Sequence, residues 1–268
     1  MPTIVFVHAH PDDEASQTAG AMARAASEGS RVVAVFATHG EHGTAPTDLL
    51  VGESIADRRR VEAERSAAAL GVARIEWLGY TDSGMTGWEQ NAHTAAFTQA
   101  DTTIAALKLA AILDREDASI VVGYDWHGGY GHPDHIKVHH VVREAARLAA
   151  CRPRLLEATM NRDLMRAQFQ AARAAGMADD DWDPDQPADD GNPIGSTEDE
   201  ITWQVDVRDY LAQRRAALAA HASQAEDAGA MLAMPEEAFA AFFALEHYIE
   251  PGAESGMRQG WPFGGQRA

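Results

Sequence analysis

The stretch Thr3-Ile4-Val5-Phe6-Val7-His8-Ala9-His10-Pro11-Asp12-Asp13-Glu14 runs an apolar, β-branched segment straight into a crowd of ionisable side chains. Residues 3–7 read as a buried strand, and the helical pattern over 15–28 stops at Gly29. The same alternation continues along the chain. Strand patterns fall at 31–37, 74–78, 119–123 and 154–159, and helical patterns at 56–70, 94–114, 134–150 and 161–175. The second helix ends at Gly71 and has Asp57 as a cap candidate. Strands that alternate with helices predict an α/β fold, with a mostly parallel sheet covered by helices on both faces. Sites in such sheets lie beyond the carboxyl ends of the strands, where His8–Glu14 and a second histidine-rich segment at 127–135 both fall. The strand order is not legible from the pattern.

Beyond residue 175 the character changes. Residues 179–192 are rich in Pro, Gly and Asp and read as a long surface loop. A strand pattern follows at 201–207, then helical patterns at 207–226 and 236–243, an apolar segment at 245–249, and a Gly-rich tail that Trp261 and Phe263 could pin. With 268 residues the chain fits one large domain, 1–268, made of a core over 1–175 and an elaboration over 176–268. Forty-one acidic residues face 22 basic ones, a formal charge of −19. That balance argues against nucleic acid and anionic lipid as partners, since both need clustered Lys and Arg. Ten of the acids lie between residues 179 and 200, where there is no Lys or Arg, so much of the acidity belongs to one loop. If this loop overhangs the site, it disfavours polyanionic ligands. A single cysteine, Cys151, excludes an intramolecular disulfide and a cysteine-based zinc knuckle. The first residues lack a basic n-region, and no apolar run approaches the ~18 residues of a membrane span, so a soluble, cytoplasmic protein is expected.

Five polar residues closely following a buried strand are costly without a task. In His10-Pro11-Asp12-Asp13-Glu14, His10 and Asp13 stand three apart across a turn and could reach one metal, while Asp12 must point elsewhere. The acids also suit a helix N-terminus. The second segment, His127-Gly128-Gly129-Tyr130-Gly131-His132-Pro133-Asp134-His135, repeats His-Pro-Asp between a strand and a helix. His135 could complete a three-ligand site that leaves a position open for water. Two histidines and one carboxylate suit Zn2+ and also Fe2+.

Together the segments HAHPDDE and GGYGHPDH, with Leu78-Gly79-Tyr80-Thr81-Asp82-Ser83-Gly84-Met85, resemble the PIG-L/LmbE-like zinc-dependent N-deacetylase family, especially its mycothiol-pathway branch. The resemblance covers about the first 140 residues. It implies a Rossmann-like fold and hydrolysis of an N-acetyl or other N-acyl group from an N-acetylglucosamine-type sugar or related small amide. The alternative is a mycothiol-conjugate-type amidase using the same site. By the family's motifs, His10, Asp13 and His135 are metal ligands and Asp12 is the general base. A positively charged His132 stabilises or protonates the tetrahedral intermediate, Asp134 orients and charges that histidine, and mobile Tyr130 polarises the carbonyl. Arg59 and Asp82 contact the sugar. The partner is then a small molecule, and a homo-oligomer stays open. His8 and Glu14 read as structural, His139 as supporting or surface, and His221 and His247 as ordinary. The residues leave the part of His127 undecided. The first strand-to-helix turn has no G-x-G-x-x-G and three acids, which argues against a pyrophosphate-bearing dinucleotide.

Overall fold

Alternating side chains of the first strand feed two separate cores. Ile4 and Phe6 join one apolar cluster and Val5 and Val7 the other, as the period of two along a strand requires. The computed structural model describes residues 1–174, 176, 183–188 and 190–264. Its strands are β1 (Thr3–His8), β2 (Arg31–Phe36), β3 (Arg74–Trp77), β4 (Ile120–Tyr124), β5 (Arg154–Thr159), β6 (Trp203–Asp206), β7 (Leu245–Ile249) and β8 (Arg258–Gln259). They form one sheet in the order β3-β2-β1-β4-β5-β7-β6-β8. The first five are parallel. β7 then runs antiparallel to both β5 and β6, and β8 parallel to β6. The helices are α1 (Ala19–Ser27), α2 (Ile55–Leu70), α3 (Thr102–Arg115), α4 (Pro133–Leu148), α5 (Arg162–Ala174), α6 (Leu211–Ala220), α7 (Ala228–Leu232) and α8 (Glu236–Phe243). The α/β architecture with a mostly parallel sheet is therefore present. Among the described residues, no helix is long and apolar enough to cross a membrane.

From β1 the chain winds outward to β2 and β3, then crosses back to β4 on the other side of β1. The order reverses between β1 and β4, and the loops leaving these two strands lie side by side. That placement brings the two histidine-rich segments together.

Several boundaries differ from the sequence pattern for identifiable reasons. Ser54, not Asp57, caps α2: its side chain accepts from the Asp57 N–H, and Asp57 answers the Ser54 N–H in a capping box. The expected helix over 94–114 begins only at Thr102, where the Asp101 carboxylate accepts from the Ile104 N–H. The segment before it is held by a bridge between Thr81 and Ala96. Residues 14–18 form one wide π-helical turn before α1. The expected helix over 207–226 stops at Ala220, and the apolar segment 245–249 is a strand inside the sheet. Of the acidic stretch, residues 177–182 and 189 lie outside the described residues.

The elaboration is tied to the core by a buried charge cluster. The Glu246 carboxylate on β7 pairs with Arg214 of α6 and accepts from the N–H groups of Gly20 and Ala21 at 2.8 and 3.1 Å, and from the Tyr248 hydroxyl at 2.6 Å. Arg214 also donates to the carbonyls of Ala15 and Ser16 at 2.9 and 2.6 Å. Removing one member of such a cluster strands the other without water. Glu246→Leu is expected to lower the unfolding free energy by about 3–5 kcal/mol in urea titration.

His247, next along β7, is buried, and burial lowers its pKa to about 4. The unfolded chain takes up this proton near pH 6.5, before the folded chain does. Stability is therefore complete above that pH and falls as the pH drops towards 4, by about 3 kcal/mol from this group. Unfolding of His247→Gln, followed from pH 7 to 4, is expected to have a correspondingly shallower acid slope.

Candidate active site

After β1 the chain turns sharply, and Asp12 takes a φ of 107°, a conformation that a non-glycine side chain rarely adopts. Local hydrogen bonds hold it there. The Asp12 N–H donates to Glu14 Oε2 at 2.9 Å, and the Asp12 carbonyl accepts from the N–H groups of Ala15 and Ser16. Glu14 is anchored in turn by His221 at 2.6 Å and by the Ser66 hydroxyl at 2.5 Å. Burial opposes the charge on Glu14, but His221 and Ser66 outweigh it and bring its pKa down to about 2. Backbone strain stored beside a cluster of acids is a common sign of a reacting site.

Opposite this turn, the loop after β4 is shaped by glycines. At Gly128 (φ +68°) a Cβ would meet the His135 Cβ at 2.3 Å, so only glycine lets the backbone pass. The Gly128 carbonyl faces His135 Nδ1 at 3.1 Å. Since a carbonyl only accepts, Nδ1 carries the hydrogen and Nε2 is left with its lone pair. That lone pair points at Asp13 Oδ1, 3.2 Å away. His10 is arranged likewise. Its Nε2 faces Asp134 Oδ2 at 3.2 Å and Asp82 Oδ1 at 3.5 Å, leaving Nδ1 towards Asp13 Oδ2 at 3.5 Å. In the neutral rings, two lone pairs would face one carboxylate, a repulsion that either ring protons or a cation held among the three groups relieves. The donor set of His10, Asp13 and His135 therefore fits a divalent metal, with Asp134 and Gly128 as the partners that fix the ring tautomers.

The charges around this point show that, with no cation bound, protons on the rings take its place. Burial works against a charged His10, yet Asp82, Asp13 and Asp134 around it raise its pKa well above the ordinary value. Burial likewise opposes ionisation of Asp13 and Asp82, but the neighbouring histidines hold both well below the usual carboxylate range. Asp12 differs: desolvation dominates and lifts its carboxyl to about 6, with Arg59 opposing.

All the residues expected at the site converge, but some do so with unexpected partners. The nitrogens of His10, His132 and His135 lie within 4.8 Å of one another, so His132 borders the metal position more closely than an acid held at a distance would. The Asp134 carboxylate does not lie on His132. It serves His10 and accepts from the N–H and hydroxyl of Ser83 at 2.9 and 2.5 Å, while the backbone N–H of Asp134 caps His132 Nδ1 at 3.1 Å. His132 starts α4, so its ring bends back onto the helix N-terminus rather than towards a side chain. Burial, with His10 and His135 nearby, lowers its pKa to about 2, so it is neutral and Nε2 carries the hydrogen. The expectation of a positively charged His132 is corrected accordingly. Tyr130 places its hydroxyl 3.5 Å from His135 Nε2, and burial raises its pKa well above the ordinary value, keeping it a donor.

Arg59 donates to Asp12 Oδ2 at 2.9 Å and to the carbonyls of Gly40 (2.8 Å) and Pro11, so it braces the Asp12 turn. Asp82 accepts from the N–H groups of His42 and Gly84 at 3.0 and 2.8 Å. Arg59 and Asp82 also line a polar cavity of about 130 Å³ with His42, Trp88, Gln224 and Asp227. His127 is tied through Nε2 to the Gly195 carbonyl at 3.2 Å and is a loop anchor. The end of the acidic stretch packs on this loop, with the Gly195 N–H donating to the Gly129 carbonyl at 2.7 Å and Asp190 abutting Gly131. His8 sits beneath the motif between Tyr124 and Thr18, as expected. The sequence reading missed His221, Gln224 and Asp227. His221 stands 207 residues from Glu14, and no local pattern could have joined them.

The placement of Asp134 is testable. Asp134→Asn is expected to weaken metal affinity by about 10–100-fold in chelator competition, the usual effect of losing a partner behind a ligand. Unchanged affinity with a lost kcat would place the carboxylate's action on His132 instead.

Comparison with known proteins gives a consistent picture. The profile of the PIG-L family, described as GlcNAc-PI de-N-acetylase, matches residues 5–146. A 1D-myo-inositol 2-acetamido-2-deoxy-alpha-D-glucopyranoside deacetylase from Acidothermus cellulolyticus is 37% identical over 258 residues, covering 92% of this chain and 88% of the relative. Among solved structures, N,N'-diacetylchitobiose deacetylase from Pyrococcus horikoshii, complexed with its inhibitor MPG, aligns with a TM-score of 0.57 at 20% identity, covering 92% of this chain and 82% of that one. GalB, a 4-carboxy-2-hydroxymuconate hydratase from Pseudomonas putida, aligns with a TM-score of 0.56 at 18% identity, covering 95% and 98%. A hydratase with this fold means that the architecture alone does not name the reaction.

Proposed function

The chain belongs to the PIG-L, GlcNAc-PI de-N-acetylase family, and we propose that its N-deacetylase chemistry runs at the junction of His10, Asp12, Asp13, Tyr130, His132 and His135. It is a hydrolase of the C–N bond in N-acetylglucosamine-type amides. Its substrate on this reading is an N-acetylglucosamine carrying a polyol, as in the name of the 37%-identical relative. The observation that carries the reading is the pair of histidine nitrogens converging on Asp13, with a carboxylate of raised pKa beside them.

His10, Asp13 and His135 would hold the ion, for which we propose Zn2+; Fe2+ suits the same donors. When bound, a divalent cation supplies Lewis-acid polarisation of the amide carbonyl and acidifies water. Asp12 takes the proton of the attacking water. With a carboxyl raised to about 6, it can also return that proton to the departing amine near neutral pH. Arg59 keeps the Asp12 carboxylate aimed, and the strained turn keeps it off the metal. His132 Nε2–H and the Tyr130 hydroxyl donate to the carbonyl oxygen as charge grows on it. The sugar hydroxyls fall to Arg59, Asp82 and their neighbours in the polar cavity. The alternative substrate, a mycothiol-conjugate-type amide, would use the same groups.

Asp12→Asn keeps the shape and the tolerance for positive φ but removes the base. Its kcat for amine release from N-acetylglucosamine is expected to fall by about 10²–10⁴-fold, with the bound metal per chain unchanged. Wild-type turnover in this variant would overturn the assignment.

A further inference from the structure

The metal position lies at the meeting point of two cavities of opposite character. Asp12, Asp13, Met85, Tyr130 and Asp227 line both. On one side is the polar cavity of about 130 Å³; on the other, a cavity of about 390 Å³ runs away from the site. Its walls are chiefly apolar: Met160 between β5 and α5, Leu164 and Met165 at the start of α5, Met231 on α7, and Phe242 and Phe243 on α8. Phe242 remains 43% exposed, although it is a large hydrophobic side chain.

An amide is planar, and its two substituents leave the C–N bond in opposite directions. With the carbonyl carbon held at the shared residues, one cavity must receive the amine part and the other the acyl part. The polar cavity has the donors and acceptors that match a hydroxylated amine. The larger cavity offers hydrocarbon, thioether and ring surface, and methionines adapt readily to flexible chains. An acetyl methyl would leave nearly all of it unfilled, since a single water in the liquid takes ~30 Å³.

Resting on the deacetylase reading of the site, we infer that this larger cavity is an acyl-chain pocket. The enzyme then takes amino-sugar amides whose acyl group is a hydrocarbon chain of several carbons, in addition to acetyl. The bond broken is the same amide C–N bond. Water supplies OH to the acyl carbon and H to the nitrogen, so a free fatty acid and the free amine result.

The test compares N-acetyl-, N-butanoyl- and N-hexanoylglucosamine on the metal-loaded full-length protein. Burial of each added methylene is expected to raise kcat/KM about threefold, or about 100-fold from acetyl to hexanoyl. Leu164→Trp and Met231→Trp, made separately, each fill the pocket from a different helix. Both are expected to remove at least tenfold of the hexanoyl gain while leaving acetyl turnover unchanged. A wild-type rate that is flat or falls with chain length overturns the inference, as does a gain that survives both variants. So does an equal gain for the octyl glycoside of N-acetylglucosamine that the same variants abolish, since the pocket would then hold the aglycone. Failure to hydrolyse any of these amides sinks the reading of the site itself. Calorimetry on the same protein then judges the pocket alone: N-hexanoylglucosamine binding no more tightly than N-acetylglucosamine overturns the inference.

Discussion

Two imidazole nitrogens converge on one buried carboxylate, an arrangement that ring protons or a metal cation satisfies, and the local structure is organised to hold it. The Gly128 carbonyl and the Asp134 carboxylate each take a ring N–H, which turns the bare nitrogens of His135 and His10 towards Asp13. Asp134 can do so because Ser83 satisfies both of its oxygens, and Ser83 sits on the loop after β3. Three successive layers of hydrogen bonding therefore converge on one point from the carboxyl ends of β1, β3 and β4. The sheet's reversal between β1 and β4 makes that convergence geometrically cheap.

Much of this was legible in the sequence because it is local. Strand-to-helix alternation over the first two-thirds gives the parallel sheet, and the His-Pro-Asp repeats mark the loops at its functional edge. Within the first loop, residue spacing suffices to place His10 with Asp13, and the family resemblance adds His132 and His135 from the second. Long-range order was not legible. Glu14 with His221, and Glu246 with the start of α1, are pairings across some 200 residues that no periodicity encodes. The partner of Asp134 was misassigned for a similar reason. Its neighbour in sequence is His132, but a helix N-terminus draws the ring of His132 back onto the Asp134 N–H and frees the carboxylate to face β1.

The chain divides its work unevenly. The family profile ends at residue 146, and the groups assigned here to bond cleavage all precede it. Residues beyond it build the walls of the larger cavity and, through Asp190 and Gly195, steady the loop that carries Tyr130. Bond-breaking groups and substrate-shaping surface thus come from different parts of one continuous sheet. A hydratase with the same architecture is in keeping with such a division.

The reach of Glu246 back to Gly20 and Ala21 has a consequence for the birth of the enzyme on the ribosome. The Asp12 turn is made before Arg214, His221 and Glu246, which lock it and follow it by about 200 residues or more. A chain that ends before Arg214 therefore carries the groups proposed for bond cleavage and lacks the clamp that positions them.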